Sequence, residues 1–235
     1  MQESKKWQQS WRAKQDIGKW YYIKRSWYFG NQLFGISSMI YYLNNYRSNN
    51  LSLIQRNGLI ISGFAYILRD LLAFFYTQSN KSIKREDMIN IVIGNIIFWI
   101  PAYFANNDAN NSLQYNQIIY YSSLILQITG HIFNSLSELQ RKWWLQKPGN
   151  KDKVYTQGFF SITRHPNYFG DLLFMTGWGL LTFNWKVLGL PLLSLFSFYN
   201  EYIPEIETFM EGKFGDEWIE YKKNVKSSLI PFTYF

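Results

Sequence analysis

Six apolar segments recur along the chain, near residues 28–43, 58–76, 89–105, 117–136, 169–183 and 187–203. Each approaches the roughly 17–25 residues that a helix needs to cross a hydrocarbon layer. Lipid offers backbone polar groups no partners, so segments that cross it fold as helices. The expected fold is therefore all-α, a polytopic membrane helical bundle of about six transmembrane helices. The fifth and sixth segments would form a tight pair around Asn184-Trp185-Lys186. Mean hydropathy is low for this class, at −0.22, because abundant Asn and Tyr depress it while the apolar residues cluster. Phe, Trp and Tyr make up 20% of the chain, and Trp and Tyr favour membrane interfaces.

The charges set a topology. With the N-terminus inside, the inner segments are 1–27, 77–88, 137–168 and 204–235. They hold Lys81, Lys84 and Arg85 in one loop and Arg141, Lys142, Lys147, Lys151, Lys153 and Arg164 in another. The outer loop 106–116 holds no Lys or Arg, and the other outer loops hold Arg47, Arg56 and Lys186. That is the positive-inside asymmetry, and it places both termini on one basic side. A net charge of +8 gathered on one membrane face argues against nucleic acid as a partner. No Cys is present and His131 and His165 are the two histidines, so no metal site is expected.

Three regions follow. Residues 1–27 form a basic arm with Trp7, Trp11 and Trp20, and no apolar core of a secretory signal is evident in it. It reads as a targeting or docking segment. Residues 28–203 form the transmembrane bundle, with a long inner loop at 137–168 that turns at Lys147-Pro148-Gly149. Residues 204–235 form a polar tail, in which Phe214, Trp218, Tyr221 and Val225 have the spacing of an amphipathic helix.

Chemistry concentrates in Arg164-His165-Pro166-Asn167-Tyr168-Phe169-Gly170-Asp171, directly before an apolar run. Burying such groups costs several kcal/mol unless they find partners. Arg164 offers a forked donor for a phosphate. Asn167 and Asp171 can hydrogen-bond a sugar or an amide, Tyr168 can stack or donate, and Gly170 allows close backbone approach. The alternative is a helix start, with Pro166 in the first turn. Asn134, Glu138 and Arg141, at i, i+4 and i+7, share one helix face. They either meet the same ligand or form a local Glu138–Arg141 pair. Arg69 and Asp70 fall inside the second segment, where ionisable groups face a cavity or a partner. Tyr66, one turn before Asp70, makes a phenol–carboxyl pair able to deliver a proton. Alternatively, Arg69 pairs structurally with Glu86 or Asp87. His131 reads as a hydrogen-bonded structural residue.

These motifs resemble the membrane-bound steroid and sterol reductase superfamily, in its short bacterial-type branch. The resemblance rests on Arg164 to Asp171, on Ser137-Glu138-Leu139-Gln140-Arg141, on Ile203-Pro204-Glu205-Ile206-Glu207, and on the close at Phe214-Gly215-Asp216-Glu217-Trp218 with Tyr221, Val225, Ile230 and Pro231. It covers about residues 134–235. The isoprenylcysteine and phospholipid methyltransferases share the fold and a related motif. The resemblance implies a reductase of a lipid-like or steroid C=C bond, using NADPH. Its implied cofactor residues are Asn134, Glu138, Arg141, Arg164, His165, Asn167, Tyr168, Gly170 and Asp171, with Tyr66 and Asp70 as the catalytic pair. Two departures stand out. The methyltransferases show two consecutive acids where this chain has Glu207-Thr208. The tail neighbourhood of Glu201, Glu205, Glu207 and Glu211 is acidic where active sterol reductases are basic, which disfavours an adenosine 2′-phosphate. Three functions stay open: the reductase, a catalytically silent accessory subunit of a multi-subunit complex of the respiratory kind, and a membrane methyltransferase. The implied partners are the lipid bilayer, a lipid-like substrate and other membrane subunits. The implied compartments are the mitochondrial inner membrane or the endoplasmic reticulum.

Overall fold

The computed structural model describes residues 19–46, 52–73, 96–107 and 116–233. Among them every regular element is helical. In chain order these are α1 (Lys19–Asn45), α2 (Leu53–Leu72), α3 (Ile96–Asn107), α4 (Gln117–Leu145), α5 (Pro166–Leu181), α6 (Gly189–Ser197), α7 (Ile203–Phe214) and α8 (Asp216–Asn224). Short 3₁₀ turns lie at Gly158–Ser161 and Trp185–Leu188, and a π turn at Phe198–Tyr202 joins α6 to α7.

The helices depart from the expected segments in three places. Helix α1 begins at Lys19, within the residues 1–27 expected to form the arm. Residues 137–145, placed in the inner loop by the sequence, are the last turns of α4. The sixth segment is broken into the second 3₁₀ turn, α6 and the π turn. Proline explains part of this, since it lacks the N–H that an α-helix interior requires. Pro191 sits in the first turn of α6, and Pro204 opens α7 directly after the π turn. Pro204 cannot bond the carbonyl of Asn200, and the wider i to i−5 pattern of the π turn falls on these residues. Among the described residues no helix is both long and apolar enough to cross a membrane. The longest helices are interrupted by polar groups, Asn31 and Gln32 in α1 and Gln127, His131 and Asn134 in α4. Residues 1–18 of the N-terminal arm and residues 89–95 of the third segment lie outside the described residues.

The chain divides into two compact units. The first takes the described residues up to Leu124 together with Trp178–Leu188. In it α2 opens with a capping box, in which the Ser52 hydroxyl accepts from the Gln55 N–H and the Gln55 side chain accepts from the Ser52 N–H. Its buried face, Gly58, Leu59, Ser62, Gly63 and Ile67, has helical spacing. At Gly63 a Cβ would stand 3.2 Å from Ile36 and Met39, so glycine lets α1 pack close. Tyr66, Phe98 and Trp178 form an aromatic knot with centroids 5.6–6.2 Å apart. After α5, Asn184 accepts from the Lys186 N–H at 3.1 Å and donates to the Phe104 carbonyl at 3.3 Å, fixing the turn.

The second unit takes Ile125–Gly177 and the residues from Gly189 onward. Here α4 and α5 cross at two glycines. A Cβ on Gly130 would lie 2.5 Å from the Gly170 carbonyl oxygen, and one on Gly170 would lie 2.6 Å from the Gly130 oxygen and the Asn134 nitrogen. The predicted amphipathic tail is two helices, α7 and α8, split at Gly215, whose φ of +57° favours a residue without a Cβ. The tail's apolar face is covered by the chain itself. Trp218, Tyr221 and Val225 are buried with Val154, against Met210 and Phe214. Leu229 is buried with Leu172, Phe198 and Ile203.

Exposure on α4 is inverted relative to a water-soluble helix. Ile118, Tyr121, Ile125, Ile128, Ile132 and Leu136 are exposed along one face, while Ser123, Gln127 and Ser137 are buried on another. The outward faces of other helices are similar, with Leu33, Phe34 and Tyr41 on α1, Ile61, Phe64 and Leu68 on α2, and Leu192, Leu193 and Phe196 on α6.

Candidate functional site

The signature residues stand where an extended run meets the tail. The Arg164 N–H donates to the Ser227 carbonyl and the His165 N–H to the Ser228 carbonyl, both at 3.0 Å. The Thr163 hydroxyl donates to the Leu229 carbonyl at 2.9 Å. The Arg164 side chain is buried, with Nε donating to Glu207 Oε1 at 2.7 Å and Nη1 to the Val225 and Lys226 carbonyls at 2.7 and 2.9 Å. His165 Nε2 lies 3.3 Å from the same Glu207 oxygen. The forked donor that the sequence offers to a phosphate is thus engaged by the chain's own carboxylate and carbonyls.

Burial governs the protonation of this triad. It pulls His165 below its ordinary 6.5, outweighing the upward pull of Glu207. Burial alone would raise Glu207, but the hydrogen bonds and charges of His165 and Arg164 outweigh it and hold the carboxyl below its ordinary 4.5. Near neutral pH, Glu207 is therefore a carboxylate, His165 a neutral ring presenting Nε2–H to it, and Arg164 the single cation of the three.

A second polar group lies on α4 and the first turns of α5. Asn134 Nδ2 donates to the Asn167 carbonyl at 3.2 Å and to Asp171 Oδ1 at 3.1 Å. One turn further along α4, Glu138 and Arg141 form the i, i+3 ion pair at 2.5 Å, with the Arg141 side chain 44% exposed. The close approach that Gly170 permits is that of α4, at Gly130. Tyr168 stacks on Phe198 at 4.6 Å, and its ring also meets His165 and Tyr202. Burial, reinforced by Asp171 and Tyr202, pushes the Tyr168 phenol up to about 12, so it remains a donor. The structure thus gathers Asn134, Asn167 and Asp171 into one hydrogen-bonded group, pairs Glu138 with Arg141, and joins Arg164 to His165 through Glu207.

Tyr66 and Asp70 belong to the first unit. Asp70 accepts a hydrogen bond from the Tyr28 hydroxyl, another from Gln32 Nε2 at 3.4 Å, and lies 3.6 Å from the Arg69 guanidinium. That guanidinium also sits over the Tyr66 ring, 4.7 Å from its centroid. Glu86 and Asp87, the alternative partners of Arg69, lie outside the described residues.

Three residues matter that the sequence did not assign. Glu207 is the counter-ion of Arg164, and an acid within the tail motif was its only trace. Gln140, inside the Ser137–Arg141 motif, accepts from the Phe159 N–H at 3.4 Å and so ties α4 to the 3₁₀ turn before Arg164. Tyr28 reaches Asp70 across 42 residues of chain, and nothing in its local sequence marks it.

The donor set discriminates between ligand chemistries. Asp171, Glu138 and the Asn167 side chain suit the hydroxyls and amide of a nucleoside. A second phosphate would need cations, yet Arg164 is held by Glu207 and Arg141 by Glu138.

Known proteins carry the same region. The protein-S-isoprenylcysteine O-methyltransferase of Schizosaccharomyces pombe is 34% identical over 85 residues, 35% of this chain and 36% of that protein. The Δ(14)-sterol reductase ERG24 of Saccharomyces cerevisiae is 27% identical over 117 residues, 44% of this chain and 26% of that protein. The chain therefore spans well under half the length of either relative. The solved eukaryotic intramembrane Ras methyltransferase ICMT aligns over 92% of this chain and 98% of its own, at 18% identity and a TM-score of 0.41. A family model described as "Protein of unknown function (DUF1295)" matches residues 85–225, more than half of the chain. With homologues among both the sterol reductases and the isoprenylcysteine methyltransferases, the chain belongs to this family.

Proposed function

We propose that the chain is a membrane-embedded reductase that reduces an activated C=C bond of a lipid-like acceptor with a nicotinamide dinucleotide. The group Asn134, Asn167 and Asp171 supports a nucleoside-bearing cofactor, and the single acid at Glu207-Thr208, where the methyltransferases carry two, favours a nicotinamide dinucleotide over S-adenosylmethionine. When bound, the nicotinamide would supply a hydride. Asp171 and Glu138 would accept from sugar hydroxyls, and the Asn167 side chain would orient the carboxamide. Arg141 gives one guanidinium edge to Glu138 and is 44% exposed, so its open edge would meet the pyrophosphate and leave no further cation for a 2′-phosphate. The Tyr168 phenol, kept protonated by burial, would donate a hydrogen bond at the same face. Tyr66 and Asp70, with the Tyr28 hydroxyl on Asp70, are the residues with the chemistry to return a proton. Because the nearby cations are paired, the expected preference is for the dinucleotide without the 2′-phosphate. The inverted exposure of α4 supports the membrane setting, since an apolar outer face of that extent seeks lipid.

A methyltransferase is the second reading. It is favoured by the 34% identity to the fission-yeast enzyme, higher than that to the yeast sterol reductase. Native mass spectrometry of the full chain, titrated with NADH, NADPH and S-adenosylmethionine, tests the choice. NADH binding at least tenfold tighter than the other two is expected, and Asp171→Ala should abolish it. Selective binding of S-adenosylmethionine would replace the reductase with the methyltransferase. A folded chain that binds none of the three would leave the catalytically silent subunit as the function.

A further inference from the structure

Helix α4 carries a buried polar group that the site above does not use. Gln127 is 5% exposed, and its Nε2 has no hydrogen-bond partner among the described residues. A buried amide donor left without an acceptor is costly, because it gives up water and gains no partner in exchange. Its position is not arbitrary. Gln127 lies two turns before Asn134 on the same face of α4, so the face reads Gln127, His131, Asn134, Glu138, Arg141. At about 1.5 Å per residue, it stands roughly 10 Å from Asn134 along the helix axis. It lies three residues from Gly130, where α4 crosses α5. The outer face of the same turns carries Ile125 and Ile128, both exposed. The amide is therefore buried on the polar face of a helix whose other face is apolar and exposed.

We propose that Gln127 is a specificity-determining residue that donates a hydrogen bond from Nε2 to a carbonyl oxygen of the lipid-like ligand. The ligand class rests on the reading of a lipid-like acceptor given above. A carbonyl fits because the vacant group is a neutral donor that burial keeps from water. A neutral acceptor satisfies it without the cost of burying an anion. The nucleoside end of the face, at Asn134 to Arg141, is furnished with carboxylates and an ion pair. Its other end is furnished with an amide, the pattern expected where a polar cofactor gives way to a mostly apolar substrate with one oxygen.

The test uses the full chain in phosphatidylcholine nanodiscs and two radiolabelled probes, a sterol ketone and the same skeleton without its oxygen. Gln127→Met keeps the length of the side chain and removes the donor. Its expected effect is a loss of about tenfold in affinity for the ketone, with the oxygen-free sterol unchanged within about twofold. The ligand-free variant should also unfold about 2–4 °C higher, because it buries no vacant donor. Gln127→Asn, which keeps the donor on a shorter stem, should retain part of the ketone preference. Equal weakening of both sterols, or a ketone preference that survives in Gln127→Met, overturns the proposal. The outcome is independent of the nucleotide titration. A ketone preference lost in the variant of a chain that binds no NADH would leave Gln127 standing and remove the reductase. NADH binding with no dependence of the ketone on Gln127 would do the reverse.

Discussion

Arg164 shows how a residue's type can be read from sequence while its commitment cannot. The sequence marks a cation in a dense polar motif. The structure gives it Glu207, 43 residues away, and two carbonyls 61 and 62 residues away. Glu207→Gln would leave Arg164 buried without a counter-ion, at an expected cost of about 3 kcal/mol in unfolding free energy. Arg164→Ala should cost a similar amount, and the double substitution much less than the sum. Unfolding of the four proteins in detergent measures this. Acid should act on the same triad with a definite sign. His165 titrates below 6.5 in the folded chain, so the unfolded chain binds the proton more readily, and stability falls as pH drops below about 6.5. Glu207 is also depressed, so its contribution is present above 4.5 and lost as pH falls through its lower folded value. Both slopes run the same way. A melting temperature that declines steadily from pH 7 to pH 4 is the expected record, and it should fall more steeply below pH 6.5 in Glu207→Gln, where His165 loses the carboxylate that pulls its pKa up. Asn134 and Asp171, each at a marked position, were legible as residues of interest, and the structure joins them by a hydrogen bond. Tyr28 was not, because a lone tyrosine in an aromatic chain carries no local sign of the carboxylate it will meet.

At the scale of elements, period and punctuation carried well where helices are continuous. The apolar runs predicted helices, and α1, α2, α4 and α5 stand over them. They carried poorly where prolines and a π turn divide one apolar run, at 187–203, because hydrophobicity alone does not register a missing N–H. The crossing of α4 and α5 was also hidden. Gly170 reads from sequence as room for a ligand, and its use as room for Gly130 needs the second helix in view. Gly130→Ala and Gly170→Ala each force backbone apart, since the added Cβ would lie 2.5–2.6 Å from main-chain atoms. Each should cost at least about 2 kcal/mol. The two should be sub-additive, because one displaced crossing accommodates both. A double-mutant cycle on unfolding free energies measures the coupling, and full additivity would mean that the helices do not meet there.

For the whole molecule, charge asymmetry and aromatic content gave the membrane reading, and the inverted face of α4 agrees with it. The expected behaviour is retention in the membrane pellet after alkaline carbonate washing. Ile128→Arg on the exposed face should weaken insertion by about 2.5–3.5 kcal/mol, the cost of an arginine at mid-membrane. A washed protein found in the supernatant would reverse the reading. The distribution of unlike side chains over two faces of one helix is recoverable from spacing. Which face turns inward is not, because a soluble bundle and a lipid-embedded one use the same period with opposite sense.

The pairing of residues 163–165 with 227–229 also imposes an order on biosynthesis. At roughly 5–20 residues per second, a ribosome that has made Arg164 needs about 3–12 s more to make Val225, 61 residues later. For the first 43 residues of that interval the guanidinium has neither its carboxylate nor its carbonyls, and for the rest it lacks the carbonyls. A nascent chain stalled before residue 207 would carry an unpaired cation directly before an apolar run, a mark that proteases and chaperones can act on. Completion of the polar site is thereby tied to completion of translation through the tail.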